Sequence, residues 1–228
     1  MNPRPRRLWV TRTQPQADAT ARKLRDLGVD PIVAPVLETR AIQGVLLDLT
    51  GAEALAFTSR AAVAAFVDLS PERHLPVFAV GETTAAFARQ AGFQKVESGP
   101  GGDVQALADR IAATAPRPAL VVNPTAREPA ADLAALLAQR GIAARTVAVY
   151  ETVATTLAAA PTEIDGVLIH SAKAGHAVAD LVSAHQAHAL TAYAISDAAA
   201  DGLRKRGFAR ILIAEYPDET SLLKRIDD

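Results

Sequence analysis

Thr146-Val147-Ala148-Val149-Tyr150-Glu151-Thr152 has an earlier near-copy in Ile32-Val33-Ala34-Pro35-Val36-Leu37-Glu38-Thr39. Setting Glu38 on Glu151 gives an offset of 113 residues, which also lays Gly28-Val29 on Gly141-Ile142 and, within one residue, Leu8-Trp9-Val10 on Val121-Val122-Asn123. Solenoid repeats run to about 20 to 50 residues, so a period this long means duplication of a block of several elements. The copying continues outward. Gly166-Val167-Leu168-Ile169 repeats Leu55-Ala56-Phe57, with His170-Ser171 where Thr58-Ser59 stands. Ala192 to Ile195 repeats Val77 to Val80, with Ser196-Asp197 in the place of Gly81-Glu82, and Gly207-Phe208 repeats Gly92-Phe93.

Within each copy, short apolar runs alternate with helical patterns. Leu8 to Val10, Ala54 to Phe57, Pro76 to Val80, Leu120 to Val122, Thr146 to Tyr150, Gly166 to Ile169 and Ile211 to Ala214 are apolar throughout, as strands buried on both faces are. Helices are expected after the first strand up to Gly28, over Ala61 to Leu69, Thr84 to Gln90 and Val104 to Ala113, and over Glu128 to Gln139 up to Gly141. Val29 to Val36 is expected as one strand that lies near a sheet edge or leaves the sheet early, because Pro31 and Pro35 have no N–H to donate. Leu46 to Asp48 is a short helical or irregular link, and Gly99 to Gly102 a loop. The fold class is α/β with parallel sheets covered by helices.

A chain of 228 residues suffices for two domains. Half of the residues are hydrophobic but only 4% are aromatic, so helices must approach the sheets through small side chains. Absence of cysteine excludes disulfides and thiolate metal sites and suits the cytoplasm. The net charge of -1 gives no global basic field for nucleic acid, and no apolar run reaches the roughly 20 residues of a membrane span. Met1 to Arg7 lacks the apolar stretch of a secretory signal. Arg4, Arg6 and Arg7 read as a frayed basic tail. His185 and His188 form an H-x-x-H without a third ligand, so no metal is expected. Neither a G-x-G-x-x-G nor a phosphate-loop pattern occurs, so dinucleotide and nucleotide binding have no positive signal, and no G-x-S-x-G marks a nucleophilic serine, so hydrolysis by a triad is not expected.

Open parallel sheets bind ligands beyond the carboxyl ends of their strands. The polar strand ends are Thr11-Arg12, Thr58-Ser59-Arg60, Gly81-Glu82-Thr83-Thr84, Asn123, His170-Ser171 and Ser196-Asp197. Each is expected to precede a helix, whose free backbone N–H groups suit carboxylates or phosphates. Single Ser, Thr or Asp residues there serve equally well as N-caps. Recurrence in both copies favours a shared anion-binding cleft. Arg12 and Arg60 add guanidinium groups able to hold a carboxylate with two hydrogen bonds. Tyr150 takes the place of Leu37 and so has no packing precedent in the first copy.

These residues resemble the uroporphyrinogen-III synthase family. The likeness rests on Val10-Thr11-Arg12, Phe57-Thr58-Ser59-Arg60-Ala61-Ala62-Val63, Val80-Gly81-Glu82-Thr83-Thr84-Ala85, Val149-Tyr150-Glu151-Thr152 and Gly207-Phe208, in that order along nearly the whole chain. The resemblance implies two flavodoxin-like domains joined by a two-stranded linker, residues 1–36 with 151–228 forming one and 39–148 the other. It implies a monomeric, cofactor-free dehydrating cyclase. The substrate would be hydroxymethylbilane, an apolar tetrapyrrole skeleton with eight carboxylates. Tyr150 matches the linker tyrosine of the family and would be the acid. Thr11, Arg12, Thr58, Ser59, Arg60, Gly81, Thr83, Thr84, Asn123, His170, Ser171 and Ser196 would bind substrate. One departure stands out: many members carry Gly-Pro-Thr-Thr-Ala where this chain has Ser196-Asp197-Ala198-Ala199-Ala200. Asp197 would repel a carboxylate there, leaving Ser196 or backbone N–H groups to make the contact. The alternative is a two-domain binding or regulatory protein for a tetrapyrrole or other small polyanion, without catalysis.

Overall fold

Leu8, Trp9 and Val10 are fully excluded from water and form β1 (Arg7–Val10), the strand on which the first unit is built. The computed structural model describes residues 6–99, 101, 103–114 and 116–228. Arg4 of the basic tail and Pro100 and Gly102 of the glycine cluster lie outside the described residues. The chain divides into two compact units, Met1–Glu38 with Val153–Asp228, and Thr39–Thr152.

In unit 1, helix α1 (Gln16–Asp26) ends where Gly28 adopts φ +75°, a conformation that glycine enters without steric cost. β2 (Asp30–Val33) then pairs with β1 and occupies the edge of its sheet, as its proline requires. The expected single strand to Val36 is interrupted. Pro35 has no N–H, and the Ala34 carbonyl is taken by the Trp9 indole at 2.7 Å, so the ladder stops and β3 (Leu37–Ala41) begins afresh.

Unit 2 follows as β4 (Ala54–Phe57), α2 (Arg60–Leu69), β5 (Val77–Ala79), α3 (Glu82–Gln90), β6 (Val96–Ser98), α4 (Val104–Ala113), β7 (Leu120–Ala126), α5 (Leu133–Ala138) and β8 (Ala143–Ala154). Residues 46 to 48 are irregular. β7 and β8 are both longer than expected and α5 is shorter than the expected Glu128 to Gln139. The cause is local. The Arg127 N–H donates to the Tyr150 carbonyl at 2.8 Å, which holds the chain in the ladder, and the helix starts only where the Asp132 side chain accepts from the Ala135 N–H. The chain then completes unit 1 with β9 (Gly166–Ile169), α6 (Ala172–Leu181), α7 (Ala184–Ala187), β10 (Thr191–Ala194), α8 (Asp197–Ala200), β11 (Arg210–Ile213) and α9 (Glu219–Lys224).

The sheet of unit 1 has the order β11-β10-β9-β1-β2, and that of unit 2 β3-β8-β7-β4-β5-β6. Substituting β7, β8, β4, β5 and β6 for β1, β2, β9, β10 and β11 turns one order into the other, with β3 added at the edge. Both are the flavodoxin-like order 2-1-3-4-5. Unit 2 is thus a circular permutation of unit 1, entered at its third strand. Alternation along each strand covers both faces. Trp9, Val167 and Ile169 pack into one cluster of unit 1, whereas Leu8, Val10 and Leu168 pack into the other. Ala54 and Ala56 face Leu107 and Ile111, and Leu55 and Phe57 face Phe66 and Phe93.

Candidate functional site

The topological switch point of each unit lies between its first and third strands, and both units close it in the same way. In unit 1, Thr11 is fully buried and its Oγ1 donates to the Leu168 carbonyl at 2.6 Å. In unit 2, Asn123 is 3% exposed and its Nδ2 donates to the Ala56 carbonyl at 2.8 Å. Each side chain therefore stitches its strand to the neighbour. Asn123 was expected at a strand end before a helix; it sits inside β7 instead, because that strand runs on to Ala126.

Unit 2 brings Thr58, Ser59, Arg60, Gly81, Thr83 and Tyr150 to the carboxyl ends of its strands. Ser59 is the N-cap of α2, its Oγ accepting from the Ala62 N–H at 3.1 Å. The same Oγ lies 3.0 Å from the Tyr150 hydroxyl. β7 stands between β8 and β4 in the sheet, so Tyr150 reaches across the end of β7 to make this contact. A slip in register helps to aim it: Thr125 pairs with Ala148 but Ala126 with Tyr150, and such bulges redirect side chains. The ring packs against the cluster of Leu55, Phe57, Ala62 and Val63. Arg127 and Glu151, paired at 2.8 Å, flank it in sequence on the two strands. Gly81 is the N-cap of α3 and Thr83 is exposed in its first turn, whereas Thr84 is 6% exposed. Thr84 faces the protein interior.

Unit 1 collects Arg12, His170, Ser171 and Ser196. Arg12 was expected to face a ligand; it donates instead to Glu219 at 3.0 Å and to Thr20 at 3.3 Å. Lys23 and Thr20 also bind Glu219. Burial works to raise the Glu219 carboxyl, but Lys23, Thr20 and Arg12 outweigh it and hold the group below the usual range. His170 lies 3.8 Å from this carboxylate, its side chain 7% exposed and both ring nitrogens without a hydrogen-bond partner. Burial, aided by Arg12 and Lys23 and opposed by Glu219, pushes its pKa down to about 4. Ser171 caps α6 and Ser196 caps α8, each hydroxyl accepting from a backbone N–H three residues on. Asp197, a source of repulsion in the sequence reading, is paired with Arg204 at 2.7 Å. Glu219, Thr20 and Lys23 escaped the sequence reading. The pattern Asp218-Glu219-Thr220 ahead of Leu222-Leu223 signals a helix start, but nothing local ties it to Arg12, which is distant in sequence. Among the described residues, no three His, Cys, Asp or Glu side chains gather as a metal site needs, and no helix is long and apolar enough to cross a membrane.

The fold is shared with a crystal structure of uroporphyrinogen-III synthetase from Helicobacter pylori 26695, at 22% identity, TM-score 0.67 and 96% coverage of either chain. It is also shared with a mutant uroporphyrinogen III synthase from the extremely thermophilic bacterium Thermus thermophilus, at 16% identity, TM-score 0.51 and coverage of 97% of this chain and 96% of that one. No curated protein sequence matches the chain. The family described as uroporphyrinogen-III synthase HemD matches residues 18–224. With its polar strand ends and twin flavodoxin-like sheets, the chain belongs to the uroporphyrinogen-III synthase family, enzymes of tetrapyrrole biosynthesis.

Proposed function

We propose that this enzyme converts hydroxymethylbilane to uroporphyrinogen III without a cofactor, with Tyr150 as proton donor. The observation that carries the reading is the Tyr150 hydroxyl, held 3.0 Å from Ser59 at the start of α2. Its phenol O–H can give a proton to the departing hydroxyl of the substrate. Water leaves with the C–O bonding pair, and the azafulvene cation that remains is attacked by the substituted carbon of ring D. The spiro intermediate opens and recloses with ring D inverted, and the proton shed from the pyrrole carbon at closure restores the phenol.

Acid assistance of this kind is worth about 10² to 10⁴ in rate. Conformational control must supply the remainder, because uncontrolled closure gives the uninverted isomer. In this reading Thr58, Arg60, Gly81 and Thr83 offer carboxylate contacts at the strand ends of unit 2, and Ser171 and Ser196 at those of unit 1. The N-termini of α2, α3 and α6 support that assignment, since the positive end of a helix favours anions. The two compact units are, on this view, the two domains of the enzyme, and the strands β3 and β8 are its linker.

The test is to incubate the purified protein with hydroxymethylbilane and separate the type III from the type I product. A raised type III fraction without added metal or nucleotide is expected. An isomer ratio unchanged by folded protein would reject the reading and leave a binding protein for the same class of polyanion. Replacing Tyr150 by Phe keeps the packed ring and is expected to lower kcat about ten-fold to a thousand-fold, with substrate affinity nearly intact.

A further inference from the structure

Ser59, like Ser171 and Ser196, caps a helix with its hydroxyl oxygen, but that oxygen also faces a second side chain. The Ala62 N–H occupies one lone pair of Oγ, and the Tyr150 oxygen stands at 3.0 Å on the same atom. A serine hydroxyl has one proton and two lone pairs. Two arrangements satisfy the contact at rest: tyrosine donating to serine, or serine to tyrosine. They become unequal once the phenol proton has moved to a leaving group. The tyrosine oxygen is then a phenolate, and the Ser59 O–H is the donor left facing it. The N–H of Ala62 pulls on the same oxygen from the positive end of a ten-residue helix, which makes the Ser59 proton a stronger donor.

We propose that Ser59 is a positioning residue for Tyr150, a fixed donor that stabilises the phenolate as it forms. This rests on the reading of Tyr150 as the acid. It assigns Ser59 to the proton donor, whereas the sequence pattern had grouped it with the carboxylate-binding strand ends. The hydrogen bond changes from neutral to charge-assisted only as the proton leaves, so its added strength appears in the transition state and not in the bound substrate. Loss of the donor must therefore lower kcat and spare KM.

The experiment compares Ser59→Ala, Ser59→Asp and Ser59→Asn, each with and without Tyr150→Phe, using hydroxymethylbilane and measuring kcat, KM and thermal stability. Asp and Asn cap helices as well as Ser, so these variants separate the cap from the donor. A carboxylate can only accept, whereas the amide retains N–H groups. Ser59→Ala is expected to lower kcat about 10- to 100-fold, Ser59→Asp at least as far, and Ser59→Asn to return kcat to within about ten-fold of the parent. In the Tyr150→Phe background, where there is no phenol to assist, none of the three should cost further rate. Equal penalties in both backgrounds, or an unchanged kcat in Ser59→Ala while Tyr150→Phe is slow, would overturn the role of Ser59 and leave that of Tyr150 standing. Full activity in Tyr150→Phe would overturn both.

Discussion

Replacing His170 by leucine should change how stability depends on pH, and the structure sets the size of the effect. The imidazole is nine-tenths buried without a hydrogen-bond partner, and its pKa falls from 6.5 to about 4. A folded-state pKa below the unfolded one means that the unfolded chain binds the proton first as pH falls. The native state then loses stability from about pH 6.5 downward, until His170 itself charges near pH 4. At roughly 1.4 kcal/mol per unit, the loss relative to neutral pH is about 1 kcal/mol at pH 5.5 and between 2 and 3 kcal/mol at pH 4.5. Leucine has a similar volume, needs no partner and cannot charge. In urea melts from pH 7.5 to 4.5, the gap between variant and parent should therefore widen by roughly 2 to 3 kcal/mol in favour of the variant. Carboxylates remote from His170 that titrate in the same window affect both proteins and cancel in the difference, and Glu219, its charged neighbour, is held below the usual carboxylate range. Two parallel stability curves would show that the buried imidazole titrates as it does in the unfolded chain, which would refute the argument.

Other outcomes follow from contacts already described. A methyl group at Gly175 in α6 would lie 2.2 Å from the Ala199 carbonyl oxygen, so Gly175→Ala is expected to cost about 3 kcal/mol by urea denaturation; a cost near zero would mean that α6 and α8 pack more loosely. Asn123→Leu removes the donor to the Ala56 carbonyl and should cost about 1 to 3 kcal/mol, and Thr11→Val about 1 kcal/mol; neutral values from the same melts would mean that neither stitch matters. Arg60→Ala should raise KM for hydroxymethylbilane, more at low salt than at high, because the expected contact is between charges. A KM unaltered across ionic strengths would remove Arg60 from the binding residues.

The sequence displayed what repeats and what alternates. Paired apolar runs and the recurring glycines announced the duplicated α/β block, and Gly28, Gly92, Gly141 and Gly207 all take the left-handed conformation that such stops require. Element ends were harder to see. The start of α5 depends on a backbone bond from Arg127 to Tyr150, which no local pattern encodes. At the candidate site, Ser59 and Tyr150 were visible one at a time as a cap and an odd tyrosine. Their meeting depends on two strands being parted by β7, a consequence of sheet order. Arg12 was visible as a cation, but Glu219, its partner, lies at the far end of the chain. Thr11 and Asn123 looked like exposed polar strand ends because their types suit such positions; their burial follows from strand register.

The permuted layout also bears on how the chain is made. Unit 2 is continuous, whereas β1 must wait for β9, its central neighbour, until residues 166 to 169 have been synthesised. At ordinary rates of translation that interval is on the order of ten seconds. Throughout it, the apolar surface of Leu8, Trp9 and Val10 has only one of its two neighbouring strands, while the inserted unit already possesses all of its own strands. Nascent chains halted where Ala154 has just emerged from the ribosome should therefore resist protease across residues 39–152 and be cut within residues 6–36. The residues of β1 thus emerge from the ribosome before unit 2 and become native after it, and the interval exposes them to chaperones in a way that the second unit escapes.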